Sequence, residues 1–395
     1  MTCEYLFRLP LLLSGILLLG PVTPAVGQQR LWSGTARVRA EVGLDDNPFL
    51  LKRGHKQELE QGLAVDALSG RFRDMERATD LVPRSTLEMG LEGPALGGRA
   101  FDVTAAVEYE ANLYNPRRRH TELGLTIAQA LRRDGRLRFD VEWRPSYFHR
   151  NYLRDAVDVS GDANITPEER RYDAGVSREV DLRLGYRHRL VKSTRERRVE
   201  VRAELELRYF DRVYDAPFAG RSRRGPGAGL DLTLGLGRRW TLGLDYTFQS
   251  LAADPTSEVM ILDETAFSTD FNGNGNTIDV FARALVSVDR SRVEHEVALT
   301  LEGELSRAAV LEVAYGQRRR SFGSDQPYDV LNRDRGDSRN EVSAKVDMRL
   351  APGLHLLVGA RHAGQTTNRA GDPGSTGEET DYARNVVSAV LRYRF

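Results

Sequence analysis

Charged and apolar side chains alternate with a period of two along most of this chain. That period belongs to strands with one apolar face, not to helices. In 199–209, Val199, Val201, Ala203, Leu205, Leu207 and Tyr209 alternate with Glu200, Arg202, Glu204, Glu206 and Arg208. Phe101, Val103, Ala105, Val107 and Tyr109 alternate with Asp102, Thr104, Glu108 and Glu110. Stretches 32–44, 136–144 and 240–249 repeat the pattern, and further candidate strands cover 80–92, 120–132, 172–190, 228–237, 292–304, 308–320, 338–350, 354–364 and 385–395. Many run to a dozen residues. Strands of soluble sandwiches are nearer five or six, whereas about ten tilted residues cross a hydrocarbon layer.

Composition points the same way. Charged residues make up 29% of the chain and mean hydropathy is −0.46, too polar for a bundle of membrane helices. A barrel needs apolar residues only at every second strand position. Lys+Arg and Asp+Glu balance at 57 each, which removes the basic footprint of a nucleic-acid binder. Aromatics recur near strand ends: Trp32, Tyr109, Tyr114, Tyr147, Tyr186, Tyr209, Trp240, Tyr246, Tyr393 and Phe395. Such rings collect at the two interfaces of a bilayer-spanning barrel. A secreted β-sandwich is the alternative, and strand length and aromatic placement both speak against it.

Turn chemistry sets strand direction. Short connections recur at Arg133-Asp134-Gly135, Arg238-Arg239, Ser306-Arg307 and Ala351-Pro352-Gly353. Asp-Gly between alternating runs is a strong hairpin signal. Long polar connections (45–79, 150–171, 212–227, 251–291, 321–337 and 365–380) alternate with them. The expectation is an all-β, transmembrane, antiparallel up-and-down barrel of about fourteen strands, with short periplasmic turns and long extracellular loops. Residues 276–288 also alternate, and with a partner they would raise the count to sixteen; strand parity places them in a folded extracellular loop instead.

Both ends of the chain fit that architecture. Arg8, the apolar run Leu9–Leu19 and the small residues at Ala25 and Gly27 form a secretory signal pattern over 1–27, leaving 28–395 as the barrel. Cleavage there would remove Cys3, the single cysteine, so no disulfide is expected. At the other end Val387, Ala389, Leu391, Tyr393 and Phe395 form an apolar face, against Ser388, Arg392 and Arg394, with Val386 and Val390 as exceptions. An alternating strand that stops on an aromatic resembles the closing strand of the bacterial outer-membrane β-barrel superfamily. The chain resembles the porins of that group over its whole mature length. The resemblance implies a Gram-negative outer-membrane location, contact with outer-membrane lipid, and reading of the Phe395 strand by the barrel-assembly machinery. It assigns no functional residues.

One loop carries a metal pattern. Asp158 to Glu169 fits the twelve-residue EF-hand calcium loop: Asp158, Ser160 and Asp162 at positions one, three and five, Asn164 at seven through its carbonyl, Thr166 at nine, and Glu169 as the bidentate carboxylate at twelve. The departure is Ala163 at position six, where the pattern wants glycine; a left-handed backbone there costs alanine about 1 kcal/mol or more. An acidic, solvated loop is the competing reading. Asp270 to Asp279 is a weaker echo that places Phe281 at position twelve. Asp45-Asp46-Asn47-Pro48 reads as a turn.

No catalytic spacing appears, so a non-enzyme is expected. His188, His295 and His362 fall on the apolar face, and His355 falls alone on the lumen face. Lumen positions carry both charge signs, which a dry interior would not tolerate. They either line a water-filled pore or pair up and close it. The expectation is a porin-like channel passing small polar solutes or saccharides. The alternative is a non-conducting structural or surface-binding barrel that acts through calcium-stabilised loops.

Overall fold

The alternating segments close into one antiparallel barrel in a computed structural model, which describes residues 32–51, 53–61, 72–94, 99–131, 134–156, 170–192, 199–237, 239–261, 283–324, 329, 332–368 and 381–394. The strands are β1 (Ser33–Asp45), β2 (Asp80–Pro94), β3 (Ala100–Glu110), β4 (His120–Ala130), β5 (Gly135–Ala156), β6 (Arg170–Val191), β7 (Val199–Tyr214), β8 (Arg223–Leu236) and β9 (Trp240–Leu251). A short pair follows, β10 (Thr256–Ile261) and β11 (Arg283–Val288). Then come β12 (Arg292–Ser306), β13 (Ala309–Phe322), β14 (Gly336–Ala351), β15 (Leu354–Thr367) and β16 (Tyr382–Arg394).

Fourteen of these make the barrel. Each pairs with its neighbour in sequence, except that β9 passes over the β10–β11 pair to join β12. β1 closes the ring on β16, with Val38 opposite Tyr393 and Leu44 opposite Val387. The described part of the alternating stretch 276–288 is β11, which stays out of the barrel and pairs with β10 in a separate two-stranded sheet. Signal residues 1–27 and the terminal Phe395 lie outside the described residues.

Turns gather at one end of the barrel and long loops at the other. Gly237 (φ +70) and Gly353 (φ +75) hold left-handed conformations in two of the turns. A Cβ on Gly353 would also stand 2.8 Å from the Arg394 carbonyl oxygen, so only glycine fits.

The pleat sorts side chains as the alternation requires. Leu205 and Leu207 are 61% and 64% exposed on the outside, while Asp140, Glu179, Asp181 and Glu294 are buried inside. All three tryptophans, Trp32, Trp143 and Trp240, face outward. No helix among the described residues is long and apolar enough to cross a membrane.

Two expectations need correction. β5 and β6 each run for 22 residues, so 150–156 and 170–171 of the expected loop are strand. Tyr147 is also not an outer-ring residue. Pairing shifts register between Arg144 and Tyr147, where β5 carries one residue more than β6. An extra residue reverses which parity faces in, and Tyr147 meets Arg118 and His120 inside the mouth, with Nη2 of Arg118 donating to its hydroxyl at 2.5 Å. Tyr114 likewise lies under the Arg77 guanidinium at 4.4 Å, in a loop contact.

Candidate functional site: the charged lumen and its mouth

The described start of the first long loop, between β1 and β2, lies over the loop end of the lumen, where Pro48 and Leu50 line cavities. Asn47 organises its opening turn. The Asn47 side chain donates to the carbonyls of Leu51 (2.7 Å) and Ala383 (2.8 Å) and accepts from the Leu51 amide (2.7 Å). The turn forces Leu50 to φ 55, a left-handed backbone that leucine adopts only when its surroundings over-determine it. The turn expected at Asp45-Asp46-Asn47-Pro48 is offset: Asp45 still ends β1, and the turn closes from Asn47 to Leu50.

The loop is tied down on both flanks. Asp45 accepts from Arg384 Nε at 3.0 Å, and Asp46 accepts from the Asn385 amide (2.6 Å) and side chain (2.8 Å). Burial opposes ionisation of Asp46, but the Asn385 hydrogen bonds and the nearby Lys56 ammonium outweigh it and hold the carboxyl below its usual range. Phe49, Leu51, Phe72 and Met75 of the loop pack with Phe148 of β5 in a buried apolar cluster, and Arg150 Nη2 donates to the Phe49 carbonyl at 2.6 Å. A short helix, α1 (Arg53–Glu60), follows the turn, and its His55 meets Phe72 edge-on at 6.2 Å.

Below the mouth the walls are lined by ion pairs. Arg39 pairs with Glu108 (3.1 Å), Arg183 with Glu142 (2.9 Å), Arg208 with Asp181, Arg187 with Glu204 (2.6 Å), and Lys345 with Glu312 (2.8 Å). Arg84 is held by Glu108 at 3.0 Å and by Glu110. Among the described residues, every ion pair between barrel strands joins neighbours or next-but-one neighbours around the wall. None bridges the lumen. His355 is not alone: its ring Nδ1 lies 2.8 Å from Asp347, which also accepts from Arg392 at 2.8 Å. Cross-strand register made this pair, and no local spacing could have revealed it.

The two signs are not evenly spread along the axis. At the loop end, β12, β13 and β14 present Arg292, Arg318, Arg320 and Arg339 to the lumen. Nearer the turn end the same wall is acidic, with Asp231 opposite Asp245 and Glu302 opposite Glu312. Two adjoining cavities, of about 330 and 170 Å3, open in the loop-end half, and Arg292, Arg318 and Arg320 line both. Sequence reading singled out none of these four arginines, and no local spacing shows that they converge.

His188, His295 and His362 do face outward, beside Tyr186, Tyr246 and Asn385. The calcium-loop residues Asp158, Ser160, Asp162, Asn164, Thr166 and Glu169 lie outside the described residues, as does the echo at 270–279. Among the described residues no cluster of His, Cys, Asp and Glu is placed to hold a metal.

No family model matches the chain, and no curated protein does. Solved structures similar to it are outer-membrane proteins. The outer membrane channel DcaP of Acinetobacter baumannii aligns over 92% of this chain and 97% of that one, at 10% identity and a TM-score of 0.42. An anion-selective porin from Comamonas acidovorans aligns over 92% and 99%, at 9% identity and 0.41. OprD from Pseudomonas aeruginosa aligns over 92% and 93%, at 10% identity and 0.36. At such low identity the likeness concerns shape alone; the closed barrel described above stands on its own geometry.

Proposed function

We propose that this protein is a porin-like channel of a bacterial outer membrane through which small polar solutes or saccharides diffuse. The observation that carries the reading is the arrangement of lumen charges. A salt-bridged plug would pair charges across the barrel. Here arginines and carboxylates pair along the wall, so their partners stabilise the wall and leave the axis to water. An apolar outer face supports placement in outer-membrane lipid, and the closing strand β16 would present Phe395 to the barrel-assembly machinery. The protein acts as a conduit, without catalysis.

The non-conducting alternative draws support from the first loop, which roofs part of the mouth. In that reading calcium held by Asp158, Ser160, Asp162, Asn164, Thr166 and Glu169 would stiffen the loops as a binding surface. Planar-bilayer recording on the refolded protein separates the two. Discrete conductance steps support the channel. A folded barrel that stays silent, with or without calcium, refutes it.

A further inference from the structure

Among the described residues, one patch at the loop end of the lumen holds more arginines than carboxylates. Arg292 and Arg320 share one carboxylate, that of Glu294, with Arg320 at 3.3 Å. Arg339 and Arg361 share Glu341, at 2.5 and 3.5 Å. Arg318 forms no ion pair among the described residues, although Glu296 stands opposite it in register on β12. Five arginines thus face three glutamates in this patch, an excess of two positive charges.

The register makes the excess local. Arg318 stands directly opposite Arg339 on β14. Like charges placed opposite each other across two strands repel, and here they do so in the confined space under Leu50 and Phe322, in a cavity of about 170 Å3. Arg318 Nε and Arg292 Nε are buried and make no hydrogen bond, while Arg320 Nε reaches only Glu294, at 3.3 Å. A buried donor without an acceptor is costly, and guanidinium groups match the oxygens of carboxylates and phosphates in pairs. Four of these arginines line one cavity, and a patch short of negative charge with N–H groups left unbonded describes the complement of a small oxyanion.

We infer that the cavity lined by Arg292, Arg318, Arg320 and Arg339 is a binding site for a small oxyanion carrying two negative charges, such as hydrogen phosphate or a short dicarboxylate. This rests on the channel reading in one respect: the lumen must admit water and solute. The roof formed by Leu50 and the first loop would make the site a station that solutes enter and leave, and the acidic wall nearer the turn end would repel an anion that has passed it.

The test is calorimetry on the refolded, detergent-solubilised barrel, titrated separately with inorganic phosphate and with succinate at matched ionic strength. Retained resistance to cold SDS shows that each variant is folded. Saturable binding of either anion is expected. Arg318→Gln removes one charge-assisted contact and should weaken it about tenfold. Glu296→Gln removes a competing carboxylate from the row and should tighten binding several-fold, and it decides the matter if Arg318→Gln does not fold. Phosphate binding without succinate binding, or the reverse, tells which oxyanion geometry fits. Absence of saturable binding to the folded wild type, or equal affinities in wild type and both variants, overturns the inference. A barrel that binds the anion but is silent in planar bilayers sinks the channel reading and leaves the site standing.

Discussion

Replacing Leu205 by arginine should be among the most damaging single changes on the outer wall. Leu205 points outward from β7, 61% exposed, between Tyr186 of β6 and Leu230 of β8. Its depth follows from the register. Val199 lies on the row of Trp240, through Leu236, and Tyr209 marks the other aromatic level on the same strand. The ten steps between them span about 33 Å along the strand, or about 25 Å once tilted by about 40°, the height of the apolar band of such barrels. Leu205 lies six strand steps from Val199 and four from Tyr209, near the middle of the apolar band. An arginine there costs about 2–4 kcal/mol, a factor of about 30 to 1,000 in the folding equilibrium. Glu204→Gln is the control one residue away. It faces the lumen and loses an ion pair with Arg187 whose arginine is half exposed, so it should cost under about 1 kcal/mol. Reversible unfolding in urea from lipid vesicles, followed by fluorescence of the three outward tryptophans, measures both. Comparable losses for the two variants, or a loss below about 1 kcal/mol for Leu205→Arg, would show that the outer face is not in hydrocarbon.

Three further expectations follow from the ends and loops. Asn47→Ala removes the three side-chain hydrogen bonds that shape the first loop; limited proteolysis should cut that loop faster while the barrel stays resistant to SDS, and an unchanged rate would deny Asn47 its role. Deleting Phe395, or replacing it with a charged residue, should lower outer-membrane yield while export through the inner membrane continues; normal levels of both variants would count against the terminal signal. Calcium should protect 158–169 from protease, Glu169→Gln should abolish the protection, and Ala163→Gly should strengthen it by relaxing position six; no calcium binding at millimolar concentration makes the motif a coincidence.

Much of the fold was legible because a barrel repeats one local rule. Each strand needs an apolar residue at every second position, and each turn needs its own chemistry. Residues 199–209 and 101–109 satisfy that rule without reference to anything distant, so their faces could be assigned directly. Even the parity argument for 276–288, which rests on counting, placed β11 correctly in a loop pair. Tyr147 shows where the rule stops. Pro145 is the one local sign, since proline lacks an amide donor and favours bulges inside a sheet; the pairing partner decides whether the bulge forms, and the bulge turns Tyr147 inward.

By itself the sequence determined the fold class, the strand order and the mixed charge of the inward faces, because these follow from period two and from short connections between neighbours. Only the tertiary structure decided how the charges meet. Arg318 and Arg339 are twenty-one residues apart in the chain, and Asp45 and Arg384 are separated by nearly its whole length; each pair is made by strand register and barrel closure. The same holds for the first loop, whose turn at Leu50 is set by Asn47 bonding to Ala383 of the closing strand. Contacts between residues far apart in sequence depend on where the ring closes, and closure is a property of all fourteen strands together.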